Sequence, residues 1–500
     1  MKILFIMRYY SYIAHYEDAL RELGKNGHKI HFGFNNLHNK PFDAQRMNTH
    51  FSSIPNTSYD FFPDLNKTSI WSGLAFINRK TIDYLRYLHP DYANAPKLVM
   101  RFKRRVPLPM RILFEGFLTK IFPVDFLISI FKNIEKIIPV NKTALEYIKK
   151  CAPDLVLFTP LMDSNTRFID FAKAAKQLGV KTAICVASWD NLTNKGLIQV
   201  QTDKVIMWNE FQKEEAIKYH KVPEANIIVT GAQTFDKWFD KKPTATKDDF
   251  FKKVGFDNCR SFLLYVCSSQ FIAKDEVPFV KEWVEKIKNT EELKDTGIMI
   301  RPHPANIQQW ENVEFPNSQN VIVYPRWKGF AYPFSENDKN DYFDTLHYCS
   351  AVVGINTSAM IEAGIQTKPV FTVLSDYFKE TQDGTLHFHY IKTGGLLYIG
   401  NNLDEHADQI VNTLFKDTSY KERIPKFIKD FLRPYGLNKP STPFFVEAIE
   451  NLMNECNVTA PEHERKQVYP VFRLVLYPLA VLLYGFNFEK KNKKFKLDKA

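Results

Sequence analysis

Two apolar runs that stop abruptly in polar loops constrain this chain most. Ile298-Met299-Ile300 ends at Arg301-Pro302-His303-Pro304, and Ala351-Val352-Val353-Gly354-Ile355 ends at Asn356-Thr357-Ser358, where a helical pattern begins. A short, continuously apolar run reads as a strand buried on both faces, as in a parallel sheet. Polar groups at the carboxyl end of such a strand lie where open α/β sheets build their ligand crevice. The second run also brings hydroxyls to a helix start, where free backbone N–H groups and the helix dipole favour phosphate. Together the runs predict a nucleotide monophosphate or diphosphate site in the second half of the chain.

Alternation of strand and helix patterns extends the reading in both directions. In the first half, Lys2–Met7 is strand-like, His15–Gly24 has helical spacing and His28–Phe34 alternates again, which makes one βαβ unit. Its loop from Arg8 to His15 falls on the ligand side, but it carries no G-x-G-x-x-G fingerprint. Residues 35–150 read as an irregular insertion. They contain the basic run Arg101–Pro107 and the apolar stretch Met110–Ile130, which fit either a surface turn before core helices or a basic, aromatic patch against anionic lipid. Regular texture resumes at Asp154. Leu155–Phe158, Lys181–Ala187, Lys204–Trp208 and Asn226–Thr230 are strands, with helices over Asp163–Leu178 and Glu210–Tyr219.

In the second half, strands over Ser261–Cys267, Val321–Tyr324 and Pro369–Leu374 join the two runs above, with helices at Val277–Lys288, Tyr342–Cys349 and Ser358–Gln366. The expectation is an α/β chain of two doubly wound, Rossmann-like domains facing a cleft. The first covers residues 1–240 and binds the acceptor; the second covers 250–460 and binds the nucleotide. A basic, aromatic tail, residues 461–500, follows. At 500 residues the chain is too long for a single core, which agrees with this division.

The net charge of +11 favours polyanionic neighbours: phosphorylated substrates, anionic lipid or nucleic acid. No zinc-finger spacing, RNP-like motif or recognition-helix signature stands out, so nucleic acid is set aside. The cysteines Cys151, Cys185, Cys259, Cys267, Cys349 and Cys456 include no C-x-x-C pair and read as reduced thiols of a cytosolic protein. The apolar run Ile3–Met7 is too short for a signal peptide and is followed at once by Arg8. In the tail, Val468–Phe488 is apolar but interrupted by Pro470, Arg473 and Pro478, and Lys490, Lys491, Lys493, Lys494 and Lys496 follow it. That pattern fits a segment lying in the membrane interface better than burial or a span, and places the chain peripherally at the inner face of the membrane.

Arg-Pro-His-Pro after one late strand, and Asn-Thr-Ser before a helix with Glu362, resemble a GT-B glycosyltransferase. More narrowly, they resemble the group whose His-Pro and Ser/Thr motifs hold a cytidine nucleotide: bacterial sialyltransferases, Kdo transferases and CDP-glycerol glycerophosphotransferases. The resemblance implies that His303 contacts the donor phosphate or its leaving oxygen. It implies that Thr357 and Ser358, with Asn356 beside them, bind phosphate, and that Glu362 accepts hydrogen bonds from ribose hydroxyls. Ser268 and Ser269 meet the nucleotide, and Arg301 either adds a phosphate contact or pairs with a carboxylate. The partners implied are a nucleotide sugar, a glycan or glycolipid acceptor and an anionic membrane surface, with no cofactor.

The first-domain loop Ser188-Trp189-Asp190-Asn191-Leu192-Thr193-Asn194-Lys195-Gly196 stands where polymerases of this kind carry Trp-His-Gly-Thr. Asp replaces His there. Asp is a common base in inverting sugar transfer, so Asp190 is the first candidate for the general base and His15 the second. The plainer reading is that Asp190 caps the next helix and Asn191 makes an Asx turn. Trp189, Asn191 and Lys195 are the expected acceptor-side residues. His387 and His389 would lie two apart on an extended segment and could ligate a metal, but no third ligand and no Asp-x-Asp motif accompany them. A metal-independent reaction is the expectation. A UDP-sugar 2-epimerase, a CDP-glycerol-type phosphotransferase and a non-catalytic, membrane-associated binding protein of the same fold are the alternatives.

Overall fold

The computed structural model describes residues 1–35, 51–66, 68–162, 167–256, 259–316, 318–326, 335–455 and 469–484. Cys456, the expected helix start at Asp163, and the tail's Val468 and lysine run lie outside the described residues. The chain divides into two compact units. One comprises residues 1–234, 432–434 and 439–500; the other comprises 235–431 and 435–438.

The first unit is built on seven parallel strands: β1 (Lys2–Met7), β2 (Lys29–Asn35), β3 (Thr57–Phe62), β4 (Leu155–Thr159), β5 (Lys181–Cys185), β6 (Lys204–Met207) and β7 (Ile227–Val229). Their order across the sheet is β3-β2-β1-β4-β5-β6-β7. β1 is central, with Ile3 in register with Ile30 on one side and Leu155 on the other. Alternate side chains of β1 feed opposite cores. Ile3, Phe5 and Met7 pack with the helices Glu17–Lys25 and Ser441–Asn454. Leu4 and Ile6 pack with Lys142–Cys151 and Phe168–Gln177. Both faces are covered, as a parallel sheet requires.

The stretch read as irregular holds the edge strand β3 and a helical layer: Ser72–Arg86, Pro96–Lys103, Leu108–Leu113, Val124–Ile137 and Lys142–Cys151. Core helices do not follow the basic turn throughout. Leu108, Ile112, Phe117, Ile121 and Phe126 are exposed. The described part of the tail is one helix, Tyr469–Tyr484, which packs against Ser72–Arg86 and Val124–Ile137. Among the described residues no helix is long and apolar enough to cross a membrane.

The second unit carries six parallel strands: β8 (Phe262–Val266), β9 (Gly297–Arg301), β10 (Val321–Val323), β11 (Ala351–Gly354), β12 (Val370–Val373) and β13 (Leu397–Gly400). Their order is β10-β9-β8-β11-β12-β13. The chain builds outward from β8 to β10, then crosses back and builds from β11 to β13 on the other side. The sheet therefore reverses between β8 and β11, and a right-handed α/β sheet opens a crevice at that point. The helix Val277–Lys288 buries Phe279, Val280, Trp283 and Ile287 against the strands. Gly255 ends the helix Lys247–Val254 at φ +85°, a left-handed conformation that a Cβ disfavours. Cys151, Cys185, Cys267 and Cys349 are buried free thiols and Cys259 is a partly buried one.

Candidate functional site

Three loops leave the carboxyl ends of β8, β9 and β11 in the second unit. After β8, the Ser268 backbone N–H donates to both oxygens of Glu276, at 2.9 and 3.2 Å, and the Tyr265 hydroxyl donates to the same carboxyl at 3.1 Å. Burial pushes Glu276 up to about 8 despite these bonds, so it is a neutral acid at pH 7. The Ser268 hydroxyl is fully buried beside the Glu276 carboxyl, at the carboxyl end of β8.

After β9, Arg301 donates through Nη1 to Asp341 (3.2 Å) and Thr345 (2.8 Å), and lies 5.0 Å from the Tyr342 ring centroid. Burial raises the Asp341 carboxyl, but Arg301, Lys253 and Tyr324 outweigh it and hold the group below its usual range. Of the two roles open to Arg301, the structure has the carboxylate pair. His303 is partly buried, and desolvation pushes its imidazole down to about 4. Its Nδ1 accepts the Ala305 backbone N–H at 3.1 Å. A neutral ring whose Nδ1 is an acceptor carries its proton on Nε2, so His303 offers an N–H donor and no charge.

After β11, Asn356 is buried and donates to the Thr381 carbonyl at 2.8 Å, with Thr385 and His387 each at 3.4 Å. Its amide braces the loop 381–387. Thr357 and Ser358 precede the helix Ala359–Ile365, and their carbonyls accept its first N–H groups. Glu362 accepts a short hydrogen bond from Tyr342, and burial pushes its carboxyl up to about 7. His387 and His389 do not share an extended segment as expected. His387 precedes the helix Phe388–Thr393 and His389 lies within it. No group of three or more ligating side chains occurs among the described residues.

In the first unit, Asp190 precedes the short helix Asn191–Asn194 but its side chain makes no capping bond. It accepts instead from Ser188 Oγ (2.7 Å), Asn191 Nδ2 (3.3 Å) and Asn194 Nδ2 (3.3 Å). Trp189 and Asn191 are buried and Lys195 is partly buried. His15 closes the turn Tyr10–His15 after β1, with Nδ1 3.4 Å from Thr234 Oγ1 and its ring 5.7 Å from Tyr12.

The Asp190 loop is fastened from behind by residues that carry no local signal in the sequence. Arg86 donates to the carbonyls of Leu192, Lys195 and Gly196, and Tyr87 donates to Lys195 at 2.7 Å. His220, held neutral by burial, donates from Nε2 to Leu192 at 2.8 Å and accepts the Ile198 N–H. Asp83 accepts the Leu197 N–H at 2.9 Å. In the second unit, Glu276 and Tyr342 were equally hidden. Their signal is spacing alone: eight residues after Ser268, and on the helix before β11.

No protein-family model and no curated protein sequence matches the chain. Solved structures do match it in fold. One is UDP-GlcNAc 2-epimerase from Methanocaldococcus jannaschii, with TM-score 0.51 and 14% identity over 90% of this chain and 100% of that one. Another is UDP-GlcNAc 2-epimerase from Neisseria meningitidis bound to UDP-GlcNAc, with TM-score 0.52 and 12% identity over 90% and 100%. A glycosyltransferase from Rickettsia africae ESF-5 gives TM-score 0.51 and 12% identity over 91% and 99%. The likeness is one of fold: the chain has the two Rossmann-like units of the GT-B class.

Proposed function

We propose that the chain is a nucleotide-sugar-dependent enzyme, an inverting, metal-independent glycosyltransferase. In this reading a sugar passes from a CMP- or UDP-type donor to a cell-surface glycan or lipid-linked acceptor, with the chain peripheral to the cytoplasmic face of a membrane. One observation carries it. Ser268-Ser269, His303 and Thr357-Ser358 all follow strands around the reversal between β8 and β11, where α/β sheets bind nucleotides. The neutral His303 donates Nε2–H to the donor phosphate. Thr357 and Ser358 add hydroxyls, and Glu362 takes the ribose. The acceptor oxygen forms the new bond to the sugar carbon as the carbon–phosphate oxygen bond breaks. The acceptor proton goes to a base of the first unit, Asp190 or else His15.

The whole-length likeness to two 2-epimerases supports a second reading, a UDP-sugar 2-epimerase. Thermal shift with CMP, CDP, UDP and GDP tests what both share, since a ligand of the native state raises its stability. The expected result is stabilisation by at least one of them, weakened by about 1–3 kcal/mol in Glu362→Ala. No shift with any nucleotide, or unchanged affinity in both His303→Ala and Glu362→Ala, overturns the reading. Free nucleotide released on sugar transfer separates the transferase from an epimerase that keeps the sugar attached.

A further inference from the structure

The helical layer of the first unit exposes apolar surface on two segments at once. On Tyr469–Tyr484 the outward side chains are Val471, Phe472, Leu474, Val475, Val481 and Leu482, with Leu474 75% and Val475 70% exposed. The inward side packs Leu476, Ala480 and Leu483 onto Leu74, Ala75, Ile134 and Ile138. The only charged side chain of this helix, Arg473, is turned in and donates to the Ile137 carbonyl at 2.9 Å. The second segment runs from Leu108 to Ile130, with Ile112 64% and Phe117 59% exposed. Both segments border the helix Val124–Ile137: the tail helix packs on it, and Phe114 meets Phe131 at 5.7 Å between ring centroids. Apolar exposure on two segments that adjoin one supporting helix marks an interaction surface.

The surrounding charge selects the partner. Residues 96–137 hold nine Lys and Arg against three Asp and Glu. Each of the three acids is neutralised within the unit: Glu115 by Lys103, Asp125 by Lys221, and Glu135 by Arg79 and Lys173. Three acids against nine cations leave the segment an excess of positive charge. A protein partner with a matching apolar face would not call for this excess, whereas an anionic lipid surface does. Over the described residues the tail helix spans 16 residues, about 24 Å, and its inner side is packed on the first unit, an arrangement that suits a helix lying along a bilayer rather than crossing it.

We infer that Leu108–Ile130 and the outer side of Tyr469–Tyr484 form one docking surface for an anionic bilayer, held to the first unit through Arg473, the small apolar cluster beneath, and Gly73, whose lack of a side chain lets the Leu483 carbonyl approach. The inference extends the membrane part of the proposed function and rests on that reading only for the expectation of a membrane partner.

The test is co-sedimentation of the full chain with phosphatidylcholine–phosphatidylglycerol vesicles and with phosphatidylcholine vesicles. Binding is expected to the mixed vesicles alone and to weaken as salt is added. Leu474→Gln with Val475→Gln, and separately Phe117→Gln with Ile121→Gln, should each weaken partition at least about tenfold. Because these side chains face solvent, the melting temperature and the nucleotide-induced thermal shift should not change, which separates a failure here from a failure of the nucleotide reading. Equal binding to both vesicle types, or loss in only one of the two variant pairs, overturns a single anionic-lipid surface. Absence of vesicle binding with concentration-dependent dimerisation that the same variants abolish overturns it in favour of a self-interface.

Discussion

Glu135→Gln should loosen the helical layer of the first unit by about 3 kcal/mol at neutral pH. Glu135 is almost fully buried and takes a two-pronged bond from Arg79, at 3.0 and 2.8 Å. It also accepts from Lys173 at 3.0 Å, and Arg79 in turn holds Asp170 at 2.8 Å. The cluster ties Ser72–Arg86, Val124–Ile137 and Phe168–Gln177 together. Burial pushes the carboxyl up, but Arg79 and Lys173 outweigh it and hold it down to about 2, against 4.5 in an unfolded chain. That difference is worth about 3 kcal/mol at pH 7, and breaking a buried pair independently costs about 3–5 kcal/mol. A depressed carboxyl contributes stability above its unfolded value and loses it as pH falls. The gap between wild type and variant, whose amide mimics the protonated acid, should therefore shrink by about 1 kcal/mol from pH 6 to pH 4. Hydrogen–deuterium exchange of peptides over Ser72–Arg86 and Val124–Ile137 reads the local opening free energy without requiring the two units to unfold together. A loss below about 1 kcal/mol at neutral pH, or the same loss at pH 4 and pH 7, would refute the ion-pair argument.

Asp190→Asn should cut turnover at least about a hundredfold while costing only about 1 kcal/mol of stability, because one of three accepted hydrogen bonds meets an amide donor instead of an oxygen. Retained turnover in a steady-state assay would move the base elsewhere, with His15 next. Gly73→Val should undock the tail helix, since even a Cβ at this position would lie 2.4 Å from the Leu483 carbonyl oxygen. Faster proteolysis after Tyr469 with an unchanged nucleotide shift is the expected result, and an undisturbed tail would show that the contact is not close.

The central strands were legible because they are buried on both faces, whereas β13, partly covered like β3, was not read. Continuous apolar runs such as Leu155–Thr159 and Ala351–Gly354 need no distant information to be read. The edge strand β3 escaped because Thr57, Ser58, Tyr59 and Asp60 are only partly covered, so no apolar run announces it. The helix Ser441–Asn454 shows the same limit at longer range. Its apolar face is plain, but that the face packs with Ile3, Phe5 and Met7 depends on contacts more than four hundred residues apart. At the candidate site the sequence showed which residue types stand after β8, β9 and β11. It did not show their state. The neutral imidazole of His303 and the raised carboxyl of Glu362 both follow from burial, and the fold sets burial.

The same distinction explains the outer helices. The pattern of Tyr469–Tyr484 left membrane contact and burial as rivals, yet a helix has two sides, and this one buries one and exposes apolar side chains on the other. Turning its single arginine inward to the Ile137 carbonyl satisfies a helix end that would otherwise lack a partner, and leaves the outer side uncharged. The helix Ser72–Arg86 underlies that arrangement. Through Gly73 it receives the tail helix, through Arg79 it joins the buried ion cluster, and through Arg86 it grips the Asp190 loop. A disturbance at the tail helix and a disturbance at the Asp190 loop therefore meet in one helix, and Gly73→Val and Glu135→Gln both probe that support.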